Sequence, residues 1–142
     1  MNGMKIRSMF LVCSVAFAVT LLGCSGPMEY QMEPGQRTAS SEGLVSIDHD
    51  DNDNKFIEMS VAHLPPPSRL EEGMSTFVVW LTPQDSQVSY NMGQLRLGAD
   101  RAGYIEFTTP FDAFELRVTA EVSPDVLDPS DQETLRRAIG MD

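Results

Sequence analysis

The sequence predicts an all-β domain, a single antiparallel β-sandwich of about six to seven strands. Three observations lead there. From Phe114 to Val122 the chain alternates with period two, placing Phe114, Leu116, Val118 and Ala120 on one face and Glu115, Arg117, Thr119 and Glu121 on the other. Thr76-Phe77-Val78-Val79-Trp80-Leu81-Thr82 is apolar on both faces, as a central strand buried from two sides must be. Short stretches of this kind recur at regular spacing, separated by Pro, Gly, Asp and Ser clusters that turn the chain.

The first strands flank an acidic turn. Leu44-Val45-Ser46-Ile47 precedes Asp48-His49-Asp50-Asp51-Asn52-Asp53-Asn54, and in Lys55 to Leu64 the residues Ile57, Met59 and Val61 alternate with Glu58, Ser60 and Ala62. β-Branched residues on both sides of a polar cluster predict a hairpin. Pro65-Pro66-Pro67 ends it, because proline cannot donate to a ladder. A polar loop over 68–73 leads to the Trp80 strand. Burying Trp80 would remove about 150 to 250 Å² from water, worth roughly 4 to 6 kcal/mol before ordering costs. Pro83 to Ser86 turns the chain into a strand over Ser89–Leu97, a turn over Gly98–Gly103 and a short strand over Tyr104–Thr108, which Pro110 ends. One face of the following Phe114 strand is expected to be wet. The C-terminus reads two ways. Ser130 to Glu133 fits a helix capping box with Leu135 and Ile139 at i, i+4, while Leu135, Arg137 and Ile139 also fit a strand.

Ahead of the sandwich, Lys5 and Arg7 open the chain, and Met9 to Thr20 is an apolar run shorter than the roughly 20 residues a membrane helix needs. Leu21-Leu22-Gly23-Cys24 follows, then Ser25, Gly26 and Pro27. This layout resembles bacterial lipoprotein precursors. The resemblance implies a signal peptide over residues 1–23, diacylglycerol on the Cys24 thiol, cleavage before Cys24, and a lipid mooring outside the cytoplasm. Cys13 lies inside the apolar run behind the bulky Val12 and would leave with the signal. An ordinary secretory signal cut near Gly23, or an uncut anchor, would export the domain as well. Ser25 is not the Asp that retains lipoproteins at the inner membrane in some bacteria, which favours the outer membrane. Residues 24–43 then read as the lipidated Cys and a disordered tether rich in Gly, Pro, Ser, Gln and Glu, with 44–142 as the sandwich. As a random coil, the eighteen residues from Ser25 to Glu42 would reach roughly 20 to 25 Å.

Charge and cysteine content exclude whole classes. The 142 residues carry a formal net charge of −11, and removal of residues 1–23 would leave 119 residues with 8 basic and 21 acidic side chains. That balance speaks against nucleic acid and against adhesion to anionic lipid by charge. With Cys13 removed and Cys24 acylated there is no thiol for a disulfide, a nucleophile or a metal.

Asp48, Asp50, Asn52 and Asp53 are the only metal candidates, in the D-x-D-x-N order of calcium loops. An EF-hand needs Gly at its sixth position and Glu at its twelfth, where this chain has Asp53 and Met59. A calcium-dependent binding module on a β-turn is the alternative reading; an acidic turn tip that is simply solvated is the plainer one. His49 and His63 stand apart without the clustered ligands that zinc or copper requires. The methionines are scattered rather than arranged as a thioether site. No nucleophile elbow, nucleophile with base, or glycine-rich phosphate loop is present, so neither enzymatic activity nor a cofactor is expected. The expected partners are the membrane, through lipid at Cys24, and an unidentified envelope protein.

From Met59 to Ser130 the order of features resembles the extracytoplasmic domain of anti-sigma-K factors. The likeness rests on His63-Leu64-Pro65-Pro66-Pro67, Phe77-Val78-Val79-Trp80-Leu81, Gly93-Gln94-Leu95, Phe114 through Glu121 and Asp128-Pro129-Ser130. It implies an immunoglobulin-like sandwich whose last strand runs from about Thr134 to Ile139. Asp131 stands where that family tends to have Gly. Neither that family's cytoplasmic sigma-binding domain nor its spanning helix is read in these 142 residues, so its regulation is not expected to carry over.

Overall fold

A computed structural model describes residues 26–141. Two antiparallel sheets pack face to face. One carries β1 (Met28–Gln31), β3 (Glu42–His49), β4 (Lys55–Ala62) and β7 (Gly103–Thr109) in the order β1-β3-β4-β7. The other carries β2 (Glu33–Pro34), β5 (Thr76–Pro83), β6 (Tyr90–Leu95), β8 (Phe114–Glu121) and β9 (Glu133–Ile139) in the order β2-β9-β8-β5-β6. Three hairpins, β3–β4, β5–β6 and β8–β9, are joined by connections that cross between sheets, so β3 to β9 form a seven-stranded immunoglobulin-like sandwich.

The period-two stretches become strands because only that spacing lets each sheet bury one side. Val45 and Ile47 of β3 and Ile57, Met59 and Val61 of β4 meet Phe77, Val79, Leu81, Phe114, Leu116, Val118, Leu135 and Ile139 from the opposite sheet. After Ala62, Pro66 and Pro67 break the ladder and Pro67–Arg69 make one turn of 3-10 helix. The C-terminal segment is a strand, with Leu135 opposite Val118 and Ile139 opposite Phe114. Burying Leu135 and Ile139 against a ready-made edge outweighs the local capping signal at Ser130.

The segment expected to be a disordered tether is a correction. Met28–Gln31 pairs with β3 in the register Met28 to Ile47 and Gln31 to Leu44, and Glu33–Pro34 pairs with β9. The sandwich therefore begins at Met28, not at residue 44, and it has nine strands among the described residues. Met32, at the crossing between the sheets, is 5% exposed. It fits because Gly43 has no side chain: a Cβ there would lie 2.8 Å from Met32 Sδ. Thr38 Oγ1 donates to Thr134 O at 2.7 Å and pins the descent into β3. From β9, the Arg137 guanidinium sits 5.2 Å from the centre of the Tyr30 ring, a cation–π contact that closes the open side of the sandwich.

The second correction concerns the outer face of β8. Thr119 and Glu121 are buried rather than wet. The physical reason is the connection over 122–132, which is drawn across this face by side-chain bonds. Asn91 Nδ2 donates to Pro124 O at 2.9 Å and Val126 O at 3.1 Å, and Glu121 Oε1 accepts from Ser130 N at 2.7 Å. Trp80 is fully buried, as expected, but on this outer side, since Phe77, Val79 and Leu81 are the β5 residues in the central core.

Candidate functional site

Residues Leu21, Leu22, Gly23 and Cys24, together with the signal over 1–23, lie outside the described residues. What the structure places is the first strand that follows them, and it emerges beside the acidic turn. Met28 faces Ile47 near the end of β3, so β1 starts at the same end of the sandwich as Asp48 to Asn54.

That turn is held by its own carboxylate. Asp50 Oδ1 accepts from the backbone N–H of Asn52 at 2.8 Å and of Asn54 at 2.9 Å, and Oδ2 accepts from Asn54 Nδ2 at 3.0 Å. These bonds, that from the Asn54 side chain first, hold the Asp50 carboxyl below the usual carboxylate range. Asp48 Oδ1 accepts from His49 N at 2.8 Å, and Asp53 adopts a left-handed φ of 64° at the tip. Acidic residues thus serve as local turn formers, which is what short carboxylate side chains do best. Among the described residues, no group of three or more His, Cys, Asp or Glu side chains is arranged to hold a metal ion. The structure does not bring Asp48, Asp50, Asn52 and Asp53 together as a cation cage, and His49 and His63 lie at opposite ends of the β3–β4 hairpin.

Two arrangements were not legible from residue order. Under the 122–132 connection a polar chain runs from Trp80 Nε1, donating to Thr119 Oγ1 at 2.8 Å, to the Thr119 hydroxyl, donating to Glu121 Oε1 at 2.5 Å. Ser130 Oγ completes it by donating to Ala120 O at 2.7 Å. Burial in such a chain strengthens each bond and fixes the covering segment. On the exposed face of the other sheet, Glu58 and Glu106 stand directly opposite each other, and the Tyr104 hydroxyl lies 2.7 Å from Glu58 Oε1 and 2.9 Å from Glu106 Oε2. The hydroxyl has one proton to donate, and two carboxylates compete for it. Donation to Glu58, partial desolvation and the neighbouring charges push the Tyr104 pKa well above the ordinary tyrosine value.

The fold and these surfaces define an all-β, two-sheet antiparallel sandwich with an acidic end. Among known proteins, no family model, no curated protein and no solved structure matches the chain.

Proposed function

We propose that the protein is a noncatalytic envelope lipoprotein, moored by lipid on Cys24 and displaying one β-sandwich as an interaction, structural or sensing module toward a protein partner outside the cytoplasm. The observation that carries the reading is the order at the N-terminus: a basic start, an apolar run and Leu-Leu-Gly-Cys, with only Ser25, Gly26 and Pro27 between Cys24 and the first residue of β1. At full extension that link spans about 14 Å, so the lipid would hold the acidic end of the domain close to the headgroups rather than lift it away. Repulsion between Asp48, Asp50, Asp51 and Asp53 and an anionic surface would then turn the opposite end outward.

The noncatalytic part of the reading is supported by how the buried polar side chains are used. Thr38 and Thr134 donate to backbone carbonyls, and Glu121 accepts from the Thr119 hydroxyl and the Ser130 N–H, as scaffold groups do. Ser25 after the cysteine favours the outer membrane. The test is metabolic labelling with radioactive palmitate: the wild type should incorporate label and partition into detergent, and Cys24→Ser should do neither. A labelled Cys24→Ser protein, or a purified chain that retains residues 1–23 with residue 24 unmodified, would overturn the proposal.

A further inference from the structure

At the end of the sandwich opposite Met28, three connections meet around a depression of about 380 Å³. The β2–β3 connection contributes Arg37, Thr38 and Ser40, the β4–β5 connection His63 and Arg69, and the β6–β7 connection Arg101. No Asp or Glu lines it, although the chain has 21 acidic and 10 basic residues. Three arginines and one of the two histidines have been gathered where the overall charge would predict carboxylates.

The way these side chains are held is equally informative. Arg37 Nη2 donates to Leu70 O and to Gln132 Oε1, which fixes its guanidinium at the rim. Among the described residues, the Arg69 and Arg101 side chains take no part in the ion pairs, which join Lys55 to Asp112, Arg117 to Glu115 and Arg136 to Glu133. His63 and Arg101 both hold left-handed backbone, with φ of 59° and 60°. Arg101 closes the Gly98–Ala102 turn, where its N–H donates to Gly98 O at 2.9 Å and where glycine would be unstrained. Strain of this kind is retained where the surroundings impose it, often at ligand sites.

We infer that this depression binds a compact, multiply charged oxyanion, such as phosphate or sulfate, free or as the terminal group of a larger molecule. Guanidinium groups pair with such oxygens through charge-assisted, bidentate hydrogen bonds, and Ser40 puts a hydroxyl at the same mouth. A long polyanion is disfavoured, because the surface around the pocket belongs to a strongly anionic molecule. The pocket is also remote from the proposed lipid. β3 separates the two ends by about 25 Å, so the anchoring membrane is not the natural source of the anion. The inference goes beyond the proposed anchoring and does not require it: a failed palmitate label would leave the pocket untouched, and an empty pocket would leave the anchor untouched.

Isothermal titration of the full-length chain in an uncharged detergent at low ionic strength tests it, with inorganic phosphate, inorganic sulfate and dihexanoyl phosphatidylglycerol as separate titrants. Saturable binding at one site is expected, weakened at least about tenfold by Arg69→Gln with Arg101→Gln, and unchanged by Arg136→Gln, whose side chain does not line the depression. Circular dichroism identical to wild type shows that the double variant folds, as it should with both residues exposed. Tighter binding of the inorganic ions than of the soluble lipid, lost in the double variant, assigns the pocket to a free or terminal oxyanion; the reverse order, also lost, assigns the same chemistry to a lipid headgroup. No saturable heat at tens of millimolar for any titrant, or equal weakening by Arg136→Gln, would overturn the inference.

Discussion

Glu58 and Glu106 face each other across the β4–β7 ladder with the Tyr104 hydroxyl between them, 2.7 Å from one carboxylate and 2.9 Å from the other. Like charges directly opposed weaken a sheet, and one shared proton offsets the repulsion while the phenol stays neutral. Because the folded-state pKa of Tyr104 is raised above 10.0, its value in an open chain, the contribution is complete below pH 10 and is lost as pH rises toward the folded value. Urea midpoints of wild type and Tyr104→Phe, measured from pH 8 to pH 11, should therefore converge at the alkaline end. The variant should be the less stable at pH 8. A wild-type advantage that grows above pH 10 would show that the hydroxyl does not hold the pair.

Met32 and Gly43 form the joint that turns the N-terminal segment from one sheet to the other. Met32→Ala should cost about 2 to 5 kcal/mol, the usual range for emptying a buried apolar site. Gly43→Ala forces a Cβ to within 2.8 Å of Met32 Sδ and should also destabilise. In the Met32→Ala background that clash is gone, so the two effects should couple by about 0.5 to 3 kcal/mol in a double-mutant cycle read by urea unfolding. Additive effects would mean that the segment is not packed as described.

The joint also shows where sequence reading stops. The strands from β3 to β8 announce themselves because each carries apolar residues, alternating or in one continuous buried run, between strong turn residues, whereas β9 fits a capped helix as well and is decided by its pairing with β8. The first two do not. Met28, Tyr30 and Met32 do alternate with Glu29 and Gln31, which is a strand signal, but it lies among Gly, Pro, Gln and Ser that lower the local hydrophobicity to that of a linker. What holds β1 and β2 is the exposed edge of strands far along the chain, and no local property of MEYQMEP encodes it. The same holds for Glu121. Alternation puts it on the outer face, correctly, yet whether that face is wet depends on a connection that folds back over it. The basic pocket is less legible still, because Arg37, His63, Arg69 and Arg101 come from three connections and meet only in space. The acidic run is plain in the sequence, but that the carboxylates of Asp48 and Asp50 are occupied with the turn itself is not.

Under that connection, Trp80 is the chain's single tryptophan, so its fluorescence reports on one buried site. Glu121→Ala leaves the Ser130 N–H and the Thr119 hydroxyl without their acceptor and should cost about 1 to 3 kcal/mol. Emission should shift to longer wavelength in the folded variant, as the connection over 122–132 loosens and admits water. Thr119→Val removes the acceptor for the indole N–H instead, and should destabilise by a similar amount while leaving the Glu121 bond to Ser130 in place. Emission of Glu121→Ala matching wild type before global unfolding would show that the connection does not depend on this carboxylate.

Asp50 gives the acidic turn its pH dependence. Its carboxylate is held below the ordinary value of 3.8 by bonds from Asn54 and Asn52, so the contribution is present above that value and is lost as pH falls through the depressed one. Asp50→Ala should lower the urea midpoint at pH 7 and flatten its decline below pH 4 relative to wild type. Calcium supplies a second reading of the same turn. Three N–H bonds already converge on the Asp50 carboxylate, and among the described residues no group of three or more acidic or histidine side chains is arranged to complete a calcium shell. Thermal midpoints in millimolar calcium and in chelator should coincide within error. A stabilisation of many degrees by calcium, abolished by Asp50→Ala, would show instead that the loop rearranges around the ion, and would turn attention from the basic end of the sandwich to the acidic one.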